Sequence, residues 1–296
     1  MIIIPVLINV AFITLIERKI LGHAQLRKGP NKVGLLGILQ PFNDAIKLFS
    51  KESVSHLISS KRTFNLRPAF ALTLSLFVWI SLPSRGSIFS LSLSLIFFYI
   101  VLRIGIYPLI FAGWASNRQY AIIGALRGVA QTISYEVRFA LVLIVFIIRR
   151  IGIRLSFIST TNSYWSNLTL CPLMFGLWVI ISIAETNRTP FDFAEGESEL
   201  VSGFNIEYGG VGFALIFMAE YARIYFMSTI IPLIFFSSSV SSSLQAPLSI
   251  SLVFLWIWVR ATLPRYRYDL LINIAWASLL PVTLFILPLT MVFSIS

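Results

Sequence analysis

The acidic residues carry the chemistry this chain could perform. Only 12 of its 296 residues are Asp or Glu, and two of these, Glu136 and Glu220, stand inside long apolar runs. A carboxylate at the centre of a bilayer costs roughly 2.5–3.5 kcal/mol on insertion scales, so one found there marks a pathway or a pair. Gln131, Ser134, Tyr135 and Arg138 lie near Glu136, and Arg223 follows Glu220 by one helical turn. A carboxyl held between desolvation and a neighbouring cation can take up and release a proton. A fixed Glu–Arg pair that locks two helices is the other reading of the same residues.

The most distinctive stretch is Glu185 to Glu207, with Glu185, Asp192, Glu195, Glu197, Glu199 and Glu207 against the single Arg188. Thr189 is expected to cap a short helix begun by Pro190, with Asp192 three residues on. Glu195 and Glu199 would share a helix face, where like charges raise one another's proton affinity. The aromatic rings of Phe191, Phe193 and Phe204 do not suit a merely solvated loop. A docking surface for a soluble partner, or the mouth of a proton path, suits them better.

Redox ligands are scarce. The chain has one Cys, Cys171, in an apolar run, and two His, His23 and His56, in polar segments. An iron–sulfur cluster needs about four ligands and a haem an axial one. The expectation is that no metal or redox cofactor binds this chain and that any redox centre belongs to a partner. Cys171 reads as a packing residue.

The elements that must position these acids follow from composition. Hydrophobic residues make up 57% and charged residues 12%, and mean hydropathy is +0.86, whereas soluble domains run at about 25% charged. The fold class expected is an all-α integral membrane protein. The net charge of +11 bears on topology and does not argue for nucleic acid. No linker, repeat or low-complexity tract divides residues 1–296, so a single transmembrane domain is expected.

A span needs about 20 apolar residues, and about eight runs qualify: Ile2–Ile16, Pro68–Pro83, Ile88–Ala115, Val129–Ile148, Leu168–Ala184, Tyr208–Ser228, Ala246–Pro264 and Leu270–Phe293. The first is barely long enough before Glu17. Either its helix carries Glu17 in its last turns, or residues are missing from the start. No basic leader or small-residue cleavage site marks it as a signal peptide.

Lys and Arg gather in alternate loops, in the segment from Arg18 to Arg67, then at Arg118, Arg127 and Arg188, and at Arg260, Arg265 and Arg267. Arg85, Arg149, Arg150, Arg154 and Arg223 are assigned to the opposite side, with Arg103 and Arg138 inside spans. The positive-inside rule puts the first group in the cytoplasm or matrix and both termini opposite. Arg260, Arg265 and Arg267 read as a topology signal.

The first loop, 17–67, has structure of its own. Lys28-Gly29-Pro30-Asn31 signals a turn, and Pro41 opens a helix. Phe42, Ala45, Ile46 and Phe49 then share one apolar face, with Asp44 near the positive end of that helix and Lys47 and Lys51 near the negative end. It is expected to lie in the membrane interface, either as an anchor or as a hatch beside an opening to lipid.

Three groups of segments carry a close resemblance. They are Glu17-Arg18-Lys19-Ile20-Leu21-Gly22 with Gln25 to Asn31 and Gln40 to Leu48, then Gly113 to Asn117 with Gly124 to Val137, and Ala184 to Asp192 through Gly203-Phe204-Asn205. Together they resemble the family of subunit 1 of NADH:ubiquinone oxidoreductase, respiratory complex I, in its mitochondrially encoded form. The resemblance implies eight spans plus a surface helix, and a cavity through which ubiquinone enters from the bilayer. It implies that NADH, FMN and iron–sulfur clusters belong to partner subunits of a soluble redox arm docked on the matrix loops, with antiporter-like membrane subunits as further partners. Residue by residue, it sets Arg18 by the quinone entrance and Phe213 and Phe217 along the cavity. It sets Glu136, Glu185, Asp192, Glu195, Glu197, Glu199 and Glu220 on an acidic path towards the pumping subunits. Glu17, Asp44, Glu52 and Arg188 are expected to support the matrix loops. The implied location is the mitochondrial inner membrane, with both termini in the intermembrane space.

Other classes compete less well. A self-contained cation or proton transporter would show inverted halves with broken helices at matching positions, and none is visible. A passive anchor explains the spans but not Glu136 or Glu220. The homologous subunit of a membrane-bound hydrogenase shares part of the signature.

Overall fold

The computed structural model describes residues 3–52, 60–83, 92–150, 154–155, 172–193, 208–236 and 242–295. Among these residues every regular element is helical. In chain order they are α1 (Ile3–Ala24), α2 (Gln40–Ser50), α3 (Lys61–Phe77, continued by a tighter turn to Ser81), α4 (Ser94–Ile104), α5 (Ile106–Ser116) and α6 (Gln119–Arg150). Then come α7 (Pro172–Glu185), α8 (Gly210–Phe235), α9 (Ser242–Thr262), α10 (Tyr268–Asn273) and α11 (Leu280–Ile295), the last two joined by a wider turn, Ile274–Leu279. Six runs are long and apolar enough to cross a membrane: Lys61–Ser81, Ser94–Ser116, Gln119–Ile148, Gly210–Phe235, Leu244–Thr262 and Tyr268–Val292. The 22-residue α1 and the shorter apolar α7 fall where the remaining two spans were expected.

Helix α8 is central and packs against α1, α2, α3 and α9. Its Ile230, Ile231, Ile234 and Phe235 are fully buried. Around Trp178 on α7 the rings of Phe139, Phe146 and Phe235 approach within 4.8, 5.7 and 5.9 Å. Such offset and edge contacts stabilise a core beyond its area, by roughly 0.5–1.5 kcal/mol per pair. The outer surfaces keep large apolar groups exposed, among them Ile4, Trp258 and Phe285, as a bilayer solvent requires.

Several sequence expectations change here. Helix α1 runs through Glu17 to Ala24, so the first of the two readings of span one describes it. Spans two and four begin earlier than expected, because the polar residues at Lys61 and Gln119 already adopt helical geometry. No helix begins at Pro190 itself: among the described residues 186–193 are turns and irregular backbone, and the rest of the expected helix, with Glu195 and Glu199, lies outside the described residues. Arg223, assigned to an outer loop, lies in the middle of α8. The third span passes from α4 to α5 at Gly105, where a Cβ would lie 2.8 Å from the Leu102 oxygen and 3.1 Å from Arg223 Nη2. Only glycine admits this close approach.

Candidate functional site

One end of α1 carries two adjacent charges pointing to different partners. Glu17 is buried and accepts a hydrogen bond from Arg260 on α9. Arg18, more than half exposed, pairs with Asp44 of α2 at 2.5 Å. Gln40 Nε2 donates to the same carboxylate at 2.9 Å. Thus α2 is clipped to α1 on its polar side, and Phe12 meets Phe42 edge-on at 6.3 Å. Phe42, Ile46 and Phe49 remain exposed along α2, the geometry of a helix lying on a membrane surface. Gly210, at φ +53°, lets the start of α8 come close to the end of α2: a Cβ there would lie 3.1 Å from the Lys51 oxygen. Glu52 is exposed beside it.

Between α1, α8 and α9 lies a cavity of about 20 Å³ whose polar lining is Glu17, Thr186, Arg188, Tyr221 and Arg260. A second, of about 40 Å³, has Arg67, Thr186, Asn187, Glu220 and Arg223 in its wall. Thr186 borders both. A cavity needs about 10–15 Å³ to hold one water, so each has room for at least one. Between them Arg188 Nη2 lies 3.9 Å from Glu220, too far for a direct hydrogen bond and suited to a bridging water. The Arg188 guanidinium also stands 4.5 Å over the Tyr221 ring. A run of charges therefore lines the two cavities, with Arg260 and Arg188 lying between the acids Glu17 and Glu220, and Arg223 beyond Glu220.

The start of the acidic stretch is fastened on three sides. Gln131 on α6 donates from Nε2 to the Ala184 and Phe191 oxygens at 3.0 and 2.7 Å. Arg265 pairs with Asp192 at 3.3 Å. Tyr266 donates its N–H to the Pro190 oxygen at 3.2 Å and stacks on Phe191 at 5.8 Å. Phe191 and Phe193 are buried, so this part is not a solvated loop. Glu195, Glu197, Glu199, Phe204 and Glu207, like Cys171, lie outside the described residues.

Glu136 is buried on α6, and its partner is not the expected Arg138. Arg103 on α4 donates from Nε to Glu136 Oε2 at 3.2 Å. Arg138 is fully buried, donates to the Ser134 oxygen one turn back and covers the Tyr135 ring at 4.1 Å. Two residues apart, Glu136 and Arg138 point to different faces of the helix. Glu136 Oε1 has no hydrogen-bond partner among the described residues. Glu185 is buried at the end of α7, within electrostatic reach of Glu136 and Arg223. Phe213 and Phe217 meet on α8 with tilted rings at 4.3 Å, half-buried, and line neither of the two cavities. Among the described residues no group of three His, Cys, Asp or Glu could hold a metal ion.

Sequence reasoning passed over three cations that belong here and set a fourth, Arg223, on the outer side although it stands one turn from Glu220. Arg260 and Arg265 were read as topology signals and instead meet Glu17 and Asp192. Arg67 was counted with the loops, yet it is buried, donates to the Pro108 oxygen at 3.1 Å and covers Tyr208. Arg223 closes the cavity around Glu220. The available signal was that each intramembrane acid had intramembrane arginines to choose from.

The NADH dehydrogenase family model matches residues 1–291. Proteins named NADH-ubiquinone oxidoreductase chain 1 are similar over most of their length. The Aedes aegypti protein is 49% identical over 96% of this chain and 91% of its own. The Anopheles gambiae protein is also 49% identical, over 96% and 90%, and that of Sminthopsis macroura is 47% identical over 95% and 91%. With a family model covering nearly the whole chain and such relatives aligned along it, this chain belongs to the NADH dehydrogenase family, among the chain 1 subunits.

Proposed function

We propose that this chain forms the membrane part of the quinone site in a proton-translocating NADH:ubiquinone oxidoreductase and carries an acidic path towards the pumping subunits. The observation that carries the reading is the partly buried run of charges Glu17, Arg260, Arg188, Glu220 and Arg223, with two cavities large enough for water along it. Proton transfer requires closely spaced titratable groups with water between them. A structural role alone would favour tightly closed pairs, because open polar cavities weaken packing. Glu136 and Glu185 extend the acids towards α4 and α6. Arg18, beside α2, is assigned to the quinone entrance, and Phe213 and Phe217 to the cavity wall. Asp192, Glu195, Glu197 and Glu199 join the path at the matrix side, and Glu17, Asp44, Glu52 and Arg188 hold the loops in place.

In this reading ubiquinone is the substrate. NADH, FMN and the iron–sulfur clusters reside in soluble partners docked on the 17–67 and 185–207 loops, and antiporter-like subunits adjoin the membrane flank. The chain acts in the mitochondrial inner membrane with both termini in the intermembrane space. The test is Glu220→Gln, which keeps shape and removes titration. Quinone reduction and proton pumping per assembled complex should both fall, while NADH oxidation by an artificial acceptor persists. Normal pumping in that variant would overturn the path.

A further inference from the structure

A charged side chain within a membrane span normally faces the protein interior. Arg103 does not. It stands near the middle of the 23-residue run Ser94–Ser116, roughly 13 Å from the Ser94 end at about 1.5 Å per residue. Its side chain is 58% exposed. At that depth it is too short to lift its charge to the headgroups. Its Nε is engaged by Glu136 at 3.2 Å, which uses one of the five guanidinium donors and leaves the outer edge facing away from the chain.

Its neighbours extend this polarity. The Tyr99 ring lies 5.6 Å from Arg103 Cζ, and Tyr107, 53% exposed, contacts Phe111 at 6.3 Å. Positions 99, 103, 107 and 111 recur every four residues and so form one stripe. Gly105 keeps helical dihedrals of −59° and −14°, so the stripe continues from α4 into α5. Acyl chains offer no acceptor to a guanidinium or a phenol. A second copy placed on this stripe by a two-fold axis would set Arg103 against Arg103.

We propose that the Tyr99–Arg103–Tyr107 stripe is an interface of the assembled membrane arm, covered by a transmembrane helix of a partner subunit that carries a carboxylate at the depth of Arg103. Charge complementarity selects this occupant. A carboxylate on the facing helix takes the outer guanidinium edge in bidentate geometry, and Arg103 then lies between that acid and Glu136. Polar contacts of this kind hold transmembrane helices together where hydrophobicity cannot. The inference rests on the chain being one subunit of a larger complex, and not on proton movement through it.

The test is made in the intact complex with Tyr107→p-benzoyl-Phe and illumination. The expected product is a cross-link to a membrane subunit, mapping to a helix that contains Asp or Glu. A cross-link to lipid alone, to a second copy, or to a helix without an acid overturns the proposal. A second arm separates docking from the internal pair. Arg103→Leu should lower the yield of assembled complex roughly tenfold, the scale of one interhelical polar contact, and Arg103→Lys should restore part of it. The double variant Arg103→Leu with Glu136→Gln removes both members of the internal pair, and it should stay low. Normal assembly in the double variant overturns the proposal.

Discussion

Arg103 and Glu136, 33 residues apart on α4 and α6, meet at 3.2 Å, and the arginine is the exposed member of the pair while the carboxylate is buried. Two charges with such different surroundings are not a symmetric lock. Glu136 keeps one oxygen without a hydrogen-bond partner among the described residues, which leaves it a place to receive a proton.

Glu136→Gln separates relay from packing. In the proton-path reading, turnover and pumping per assembled complex fall at least about tenfold, a modest figure beside the 10²–10⁴ typical of positioned proton transfer. Glu136→Asp retains part of both, since a carboxyl remains. If the pair is only structural, Gln lowers assembly by freeing Arg103 and spares activity per complex. Pumping and quinone reduction, each normalised to assembled complex, distinguish the two.

Removing Arg260 strands a buried carboxylate. Arg260→Met leaves Glu17 without its cation and should destabilise the chain within the complex by about 1–3 kcal/mol, the scale of an uncompensated buried polar group, since the arginine is itself about a third exposed. Adding Glu17→Gln should recover most of that loss, because the unpaired charge is gone. Thermal inactivation of the two variants measures this, and equal losses in both would show that the ion pair itself matters little.

The exposed stripe of α2 offers a test of quinone access. Phe49→Asp puts a charge on the exposed apolar stripe, where an apolar layer disfavours it. Apparent affinity for quinone analogues should weaken, most for those with long tails. Unchanged kinetics in a fully assembled complex would reduce α2 to an anchor.

The sequence by itself determined the class of the protein, its spans and its surface helix. Composition excludes a soluble core, and the bilayer's thickness converts apolar run length directly into helices. The helix at Gln40–Ser50 was legible because amphipathic spacing is a local property, carried by Phe42, Ile46 and Phe49. The rarity of acids singled out Glu136, Glu185 and Glu220 for the same local reason: the cost of burying charge depends on the residue and its flanks.

Partners were a different matter. Glu17 and Arg260 are 243 positions apart, and Arg103 rather than Arg138 reaches Glu136, because helix crossing and rotation about the axis decide which side chains face each other. Sequence proximity favoured Arg138, but two residues along a helix turn a side chain by more than half a circle, towards another face. Arg67 looked like a loop charge until α3 was found to begin at Lys61 and bury it against Pro108 and Tyr208. The two cavities bordered by Thr186 have no local signature at all, since their walls come from helices far apart in the chain. Only the tertiary structure decided which cation compensates each acid, because that choice depends on the packing of the helices and not on any one segment.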